Sequence, residues 1–178
     1  EQASVLEGDR VATETDRKPY AWGQKFGRRD TDVWTVDIAT GQRTKALTKI
    51  RFYFGADPTG RRLAWFDGKD YWVQEVAGGK RTNLTAALTS SRKAEFVDRT
   101  DDHPSDVLSP VGAPTWSRDG ETMIVADVRD LWSLKLDGSG GTRLTDGANG
   151  DVRHRLVSFV GFNASAVDRA VDLTKPVY

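Results

Sequence analysis

The sequence predicts an all-β chain of repeated four-stranded antiparallel units, and three observations carry that prediction. One stretch recurs: Asp32-Val33-Trp34, Asp70-Tyr71-Trp72 and Asp130-Leu131-Trp132 each open an alternating apolar segment. Each copy then passes a glycine turn (Gly41, Gly79, Gly138) and closes on Leu47-Thr48, Leu84-Thr85 or Leu144-Thr145, the pattern of a β-hairpin with one buried face. Finally, Trp34 and Trp72 are 38 positions apart, close to the ~40–45 residues of a propeller blade of the WD-repeat kind. A four-stranded meander at that period is a propeller blade, because solenoid repeats are shorter or helical.

In chain order, Ser4-Val5-Leu6 and residues 11–15 are weak strand signals before the polar turn Asp16-Arg17-Lys18-Pro19. With the Trp34 copy they form an imperfect or truncated first unit, 1–48. The second unit, 49–85, is the fullest. Strands are expected at 50–55 and 62–66, joined by Asp57-Pro58-Thr59-Gly60, with proline and glycine where a tight turn prefers them. The Trp72 segment and residues 81–84 supply its third and fourth strands. From Trp72 to Trp132 the spacing grows to 60, so an insertion is placed at 86–111, a functional or mobile loop. The third unit, 112–146, repeats the grammar with Ser117-Arg118-Asp119-Gly120 as turn and 123–127 as strand. A strand is expected at 152–160, and 147–178 reads as a further unit beginning, so that about three to four units make an open or incomplete propeller.

Composition narrows the function classes. Twenty-six basic residues balance 26 acidic ones, so no net field favours nucleic acid or an anionic membrane, and neither is expected as a partner. No apolar run approaches the ~20 residues of a membrane-spanning helix. The chain has no cysteine, which excludes disulfides and thiolate metal sites. Met123 is the single methionine, so Glu1 is read as the start of a processed or excised chain.

Candidate chemistry is sparse. The string Asp137-Gly138-Ser139-Gly140-Gly141 has aspartate where a Gly-x-Ser-x-Gly elbow needs glycine, and it falls in a hairpin turn. His154 is expected as a surface imidazole on a strand between Arg153 and Arg155. No catalytic residue, metal ligand or cofactor is assigned. In the insertion, Asp101, Asp102 and His103, with Asp98, form an acidic loop able to present carboxylates to a peptide amino terminus; its spacing fits no calcium-loop template. Arg28-Arg29 and Arg61-Arg62 are read as solvated turn residues. Trp34, Trp72 and Trp132 share one repeat position and are assigned one structural role, a ring packed between neighbouring blades. Asp32, Asp70 and Asp130 are assigned as acceptors for turn amides.

Taken together, Asp-x-Trp, Leu-Thr, Trp65-Phe66-Asp67-Gly68, the insertion with Asp102-His103-Pro104 before Gly112-Ala113-Pro114-Thr115-Trp116, and residues 168–176 resemble the N-terminal β-propeller of bacterial serine peptidases of the prolyl oligopeptidase and dipeptidyl peptidase IV group. The resemblance spans roughly residues 1–178, and the turn motifs are shared with TolB-like periplasmic propellers. It implies a non-catalytic propeller segment that covers the active site of a downstream α/β-hydrolase domain and restricts entry to small peptide substrates, in a periplasmic or secreted protein, with a cytoplasmic one left open. The alternative is a TolB-like, protein-binding scaffold. An open arc of blades is also expected to self-associate, through the faces behind Trp34 and Phe159.

Overall fold

The computed structural model describes residues 2–6, 8, 10–91, 93–102, 105–157 and 165–176. Among these residues twelve strands form three antiparallel four-stranded sheets, each in simple chain order. The first comprises β1 (Gln2–Val5), β2 (Val11–Asp16), β3 (Thr31–Asp37) and β4 (Arg43–Ile50). The second comprises β5 (Phe52–Ala56), β6 (Arg62–Phe66), β7 (Tyr71–Glu75) and β8 (Arg81–Asn83). The third comprises β9 (Thr115–Trp116), β10 (Met123–Ala126), β11 (Leu131–Leu134) and β12 (Gly141–Arg143). These are propeller-type blades, and the first is complete rather than truncated; its irregularity is the long β2–β3 connection, which holds a 3-10 turn at Lys18–Tyr20 and the one-turn helix α1 (Ala21–Gln24).

Burial on both faces explains why the strands of the second blade read as near-continuous apolar runs. Leu63 and Trp65 of β6 join Val33 and Leu47 in a cluster between the first two blades, with Tyr53 and Trp72 packed against it. Ala64 and Phe66, on the opposite face, join Tyr71, Val73, Met123, Val125, Trp132 and Leu134 between the second and third. A sandwich of sheets is thus built from period-two alternation alone.

The insertion is less polar in space than in sequence. Its helix α2 (Ala86–Ser90) buries Leu88, and Phe96 is fully buried, edge-on to Tyr71 at 5.8 Å. A short ladder closes its neck: the Asp98 N–H donates to Ser109 O (2.8 Å) and the Val111 N–H to Phe96 O (2.9 Å). Leu88, Phe96 and Val97 therefore tie what reads as a functional or mobile loop into the main core.

The strand expected at 152–160 does not form at 152–157; residues 158–160 lie outside the described part. The reason is that the segment's donors follow a turn instead of a sheet edge. The His154 N–H donates to Arg129 O (2.8 Å) and the Val152 N–H to Gly147 O (3.1 Å). Two one-turn helices, α3 (Gly147–Gly150) and α4 (Ala166–Arg169), flank this region, and Val171 then bridges Ser117 in parallel beside β9.

Candidate functional site

A buried polar lattice explains the repeated motif. In the second blade the Thr85 hydroxyl donates to Asp70 Oδ1 (2.8 Å) and accepts from the Tyr71 N–H (3.0 Å). In the third, Thr145 repeats both bonds with Asp130 (2.7 Å) and Leu131 (3.0 Å). The Asp-x-Trp and Leu-Thr ends of these two repeats are thereby locked together. A second acidic position completes the pattern. Asp67 accepts from the Trp72 indole (2.7 Å) and from the amides of Lys69 and Asp70; Asp127 accepts from the Trp132 indole (2.7 Å) and from Arg129 and Asp130. The amides of the turn just before each of these tryptophans thus go to Asp67 and Asp127, five residues before the ring, a spacing visible in the sequence. Asp130 takes the amides of Gly147 (2.5 Å) and Ala148 (3.4 Å), whereas Asp70 is met by the hydroxyls of Thr85 and Thr89.

The first blade departs from this scheme. Arg29 stands five residues before Trp34, and the buried Trp34 indole nitrogen has no hydrogen-bond partner among the described residues. Arg43 and Lys45 lie over its ring, each at 4.8 Å. Register shifts around Val33 and a left-handed Lys49 (φ 52°) bring the Lys49 N–H to Asp32 (3.0 Å), which also holds Lys45 (2.6 Å) and the Tyr20 hydroxyl (2.6 Å). Burial works to raise the Asp32 pKa, but these donors outweigh it and hold the carboxyl below its ordinary value. Tyr20 is pushed up to about 12 by burial and by that hydrogen bond.

The first strands of the three blades, β1, β5 and β9, converge on a cavity of about 1250 Å³, walled on the remaining side by residues 155–157, 165–167, 169 and 171. Among its described lining residues the charged side chains are Arg17, Arg29, Arg51, Arg155 and Arg169 against a single acid, Asp57. Asp57 is neutralised by Arg62 at 3.3 Å, and Arg51 by Asp30 (2.6 Å) and Asp106 (3.1 Å).

Asp101 and Asp102 are not on the wall of this cavity. Asp101 accepts a hydrogen bond from the Ser109 hydroxyl, and Asp98 is held below its ordinary pKa by the hydroxyl and amide of Thr100; His103 lies outside the described residues. No group of three or more acidic or histidine side chains is arranged for a metal among the described residues. His154 is half-buried, its Nδ1 3.7 Å from Asp130, rather than displayed on a strand. Ser139 caps its own turn, its N–H donating to Asp137 (2.8 Å). Nor are Arg61 and Arg62 merely solvated: they reach across to Glu121 (2.6 Å) and to Gly120 O (3.1 Å), joining the second blade to the third.

No protein-family model and no curated protein matches this chain. A solved structure assigned as a TolB from Agrobacterium tumefaciens is similar to it at 14% identity, with a TM-score of 0.49, over 82% of this chain and 46% of that one. The chain thus spans less than half the length of that protein. No described helix is long and apolar enough to cross a membrane.

Proposed function

We propose that this chain is a non-catalytic binding module whose central cavity receives an extended polypeptide segment. The observation that carries the proposal is the convergence of β1, β5 and β9 on one open space of about 1250 Å³, the kind of concavity in which ligands are held. Hydrogen exchange with and without a library of random dodecapeptides tests it. Protection is expected at β1, β5 and β9 and not at the outer strands β4, β8 and β12. Uniform or absent protection would count against the proposal.

The scaffold reading, in a periplasmic or secreted protein of the TolB-like kind, needs no further domain. The more specific reading makes the module the cover of a serine peptidase, with a downstream α/β-hydrolase domain and short peptides as partners; its support is the resemblance carried by Trp65-Phe66-Asp67-Gly68 and the 102–116 segment. Fluorophosphonate labelling of the full-length polypeptide separates the two. The cover reading requires a labelled serine outside residues 1–178, and removing the module should let larger proteins be cleaved.

A further inference from the structure

Four of the arginines on the cavity wall sit at one mouth. In every blade the turn between the first and second strands lies at one end of the sheet, and the turn between the second and third at the other. Arg17 and Arg29 flank the β2–β3 connection of the first blade, while Arg51 occupies the β4–β5 link at the same end. The Arg155 guanidinium donates to the carbonyl of Asp127 (3.3 Å), in the β10–β11 turn, which places it there too. No acidic residue lines this mouth among the described residues.

Nearby carboxylates are held by other groups, cationic for Asp30, Asp32 and Asp106 and neutral N–H donors for Asp16, Asp67 and Asp127. Asp30 and Asp106 hold Arg51, Asp32 holds Lys45, Asp16 accepts from the Lys18 amide, and Asp67 and Asp127 are engaged by indoles and turn amides. Arg17 and Arg29 form no ion pair with a described residue, and Arg155 meets only the carbonyls of Asp127 and His154. Three exposed guanidinium groups without an ion pair to a described residue therefore share one concave surface whose described lining there carries no carboxylate, an arrangement that favours a negatively charged ligand. Guanidinium forks match carboxylate geometry two bonds at a time.

From this juxtaposition we infer that the Arg17–Arg29–Arg155 mouth selects an acidic polypeptide segment, whose carboxylates enter between the β2–β3 and β10–β11 turns. The inference rests on the binding-module reading and adds the charge of its ligand. A nucleic acid fits less well, because the basic charge is confined to one mouth and the chain as a whole carries no net charge that would hold a long polyanion outside it.

The test measures fluorescence anisotropy of rhodamine-labelled hexaglutamate, hexalysine, a neutral glycine–serine hexapeptide and hexathymidylate. Hexaglutamate should bind tightest and weaken as NaCl rises from about 50 to about 300 mM. Arg17→Gln, Arg29→Gln and Arg155→Gln should each weaken it by about tenfold, as loss of a hydrogen bond to a charged group does. Arg118→Gln, exposed at the opposite end, should leave it unchanged, with circular dichroism confirming that each variant is folded. Equal binding of the neutral peptide would overturn the acidic preference while leaving the module reading intact; binding of no peptide would overturn both. Tighter binding of hexathymidylate, or indifference to all three substitutions, would overturn the peptide assignment at this mouth.

Discussion

Thr48, Thr85 and Thr145 occupy one position of the repeat, yet Thr48 does not do the work of the other two. Thr85 is fully buried between Asp70 and the Tyr71 amide, so Thr85→Val, which keeps the shape and removes the hydroxyl, leaves the Tyr71 amide unmet and Asp70 Oδ1 with the Thr89 hydroxyl (2.9 Å). A loss of about 2 kcal/mol is expected from the urea midpoint. Thr48 is exposed, its role taken by the Lys49 amide, so Thr48→Val should change stability by less than about 0.5 kcal/mol. Acid titration gives a second residue-level test. Burial tends to raise the Asp130 pKa, but the Gly147 amide, the Thr145 hydroxyl and the Ala148 amide hold it below 3.8. A folded-state pKa below the unfolded one means stability that is complete above the ordinary value and lost as pH falls beneath it. Thermal denaturation between about pH 5 and pH 2 should show that loss, and Asp130→Asn should flatten it while lowering the neutral-pH melting temperature.

Contacts between elements decide how the blades sit against one another. The β11–β12 turn of the third blade presses Gly138 (φ 79°) onto the end of β8, where a Cβ would lie 2.6 Å from Asn83 O. Gly138→Ala combines a left-handed backbone with that clash, so a destabilisation of about 2 kcal/mol or more is expected by denaturant titration. Gly41 has the same handedness but open space around it, so Gly41→Ala isolates the backbone part. The insertion offers a parallel case. Phe96 is its anchor, and Phe96→Ala should cost about 3–5 kcal/mol through the cavity it leaves. Limited trypsinolysis reports the same event: cleavage at the exposed Arg99 should come early in the wild type and markedly earlier in the variant, whereas an unchanged rate would mean that the anchor does not restrain the loop.

Across the whole molecule the polar composition hides an uneven distribution. The outer strands carry Arg43 and Lys45, Arg81, and Arg143, and edge charges of this kind discourage strand-to-strand association. In the first blade two of them also cover Trp34. Phe159, the other residue at which an exposed face is expected, lies outside the described residues. Self-association through the Trp34 face is therefore expected to be weak in the wild type and to rise in Arg43→Val/Lys45→Val, read as a concentration-dependent mass by light scattering. A doubly substituted chain that stays monomeric at every concentration would show that this face does not drive assembly.

The local terms of the fold are written in the chain. Strand periodicity, the Asp57–Gly60 turn and the Asp-x-Trp to Leu-Thr repeat each depend on residues within one hairpin of each other, so their spacing announces the β class and the blade unit. The Asp67 and Asp127 acceptors belong to the same local grammar. The rest depends on residues brought together from separate blades. Phe96 looks like one apolar residue in a polar insertion until Tyr71 supplies its neighbour, and the 152–157 segment alternates like a strand but finds the Arg129 carbonyl instead of a sheet edge. Above all, Arg17, Arg29 and Arg155 stand far apart in a chain of zero net charge, and only the convergence of the inner strands places them around one mouth. Charge summed along a sequence carries no direction; charge arranged around a cavity does.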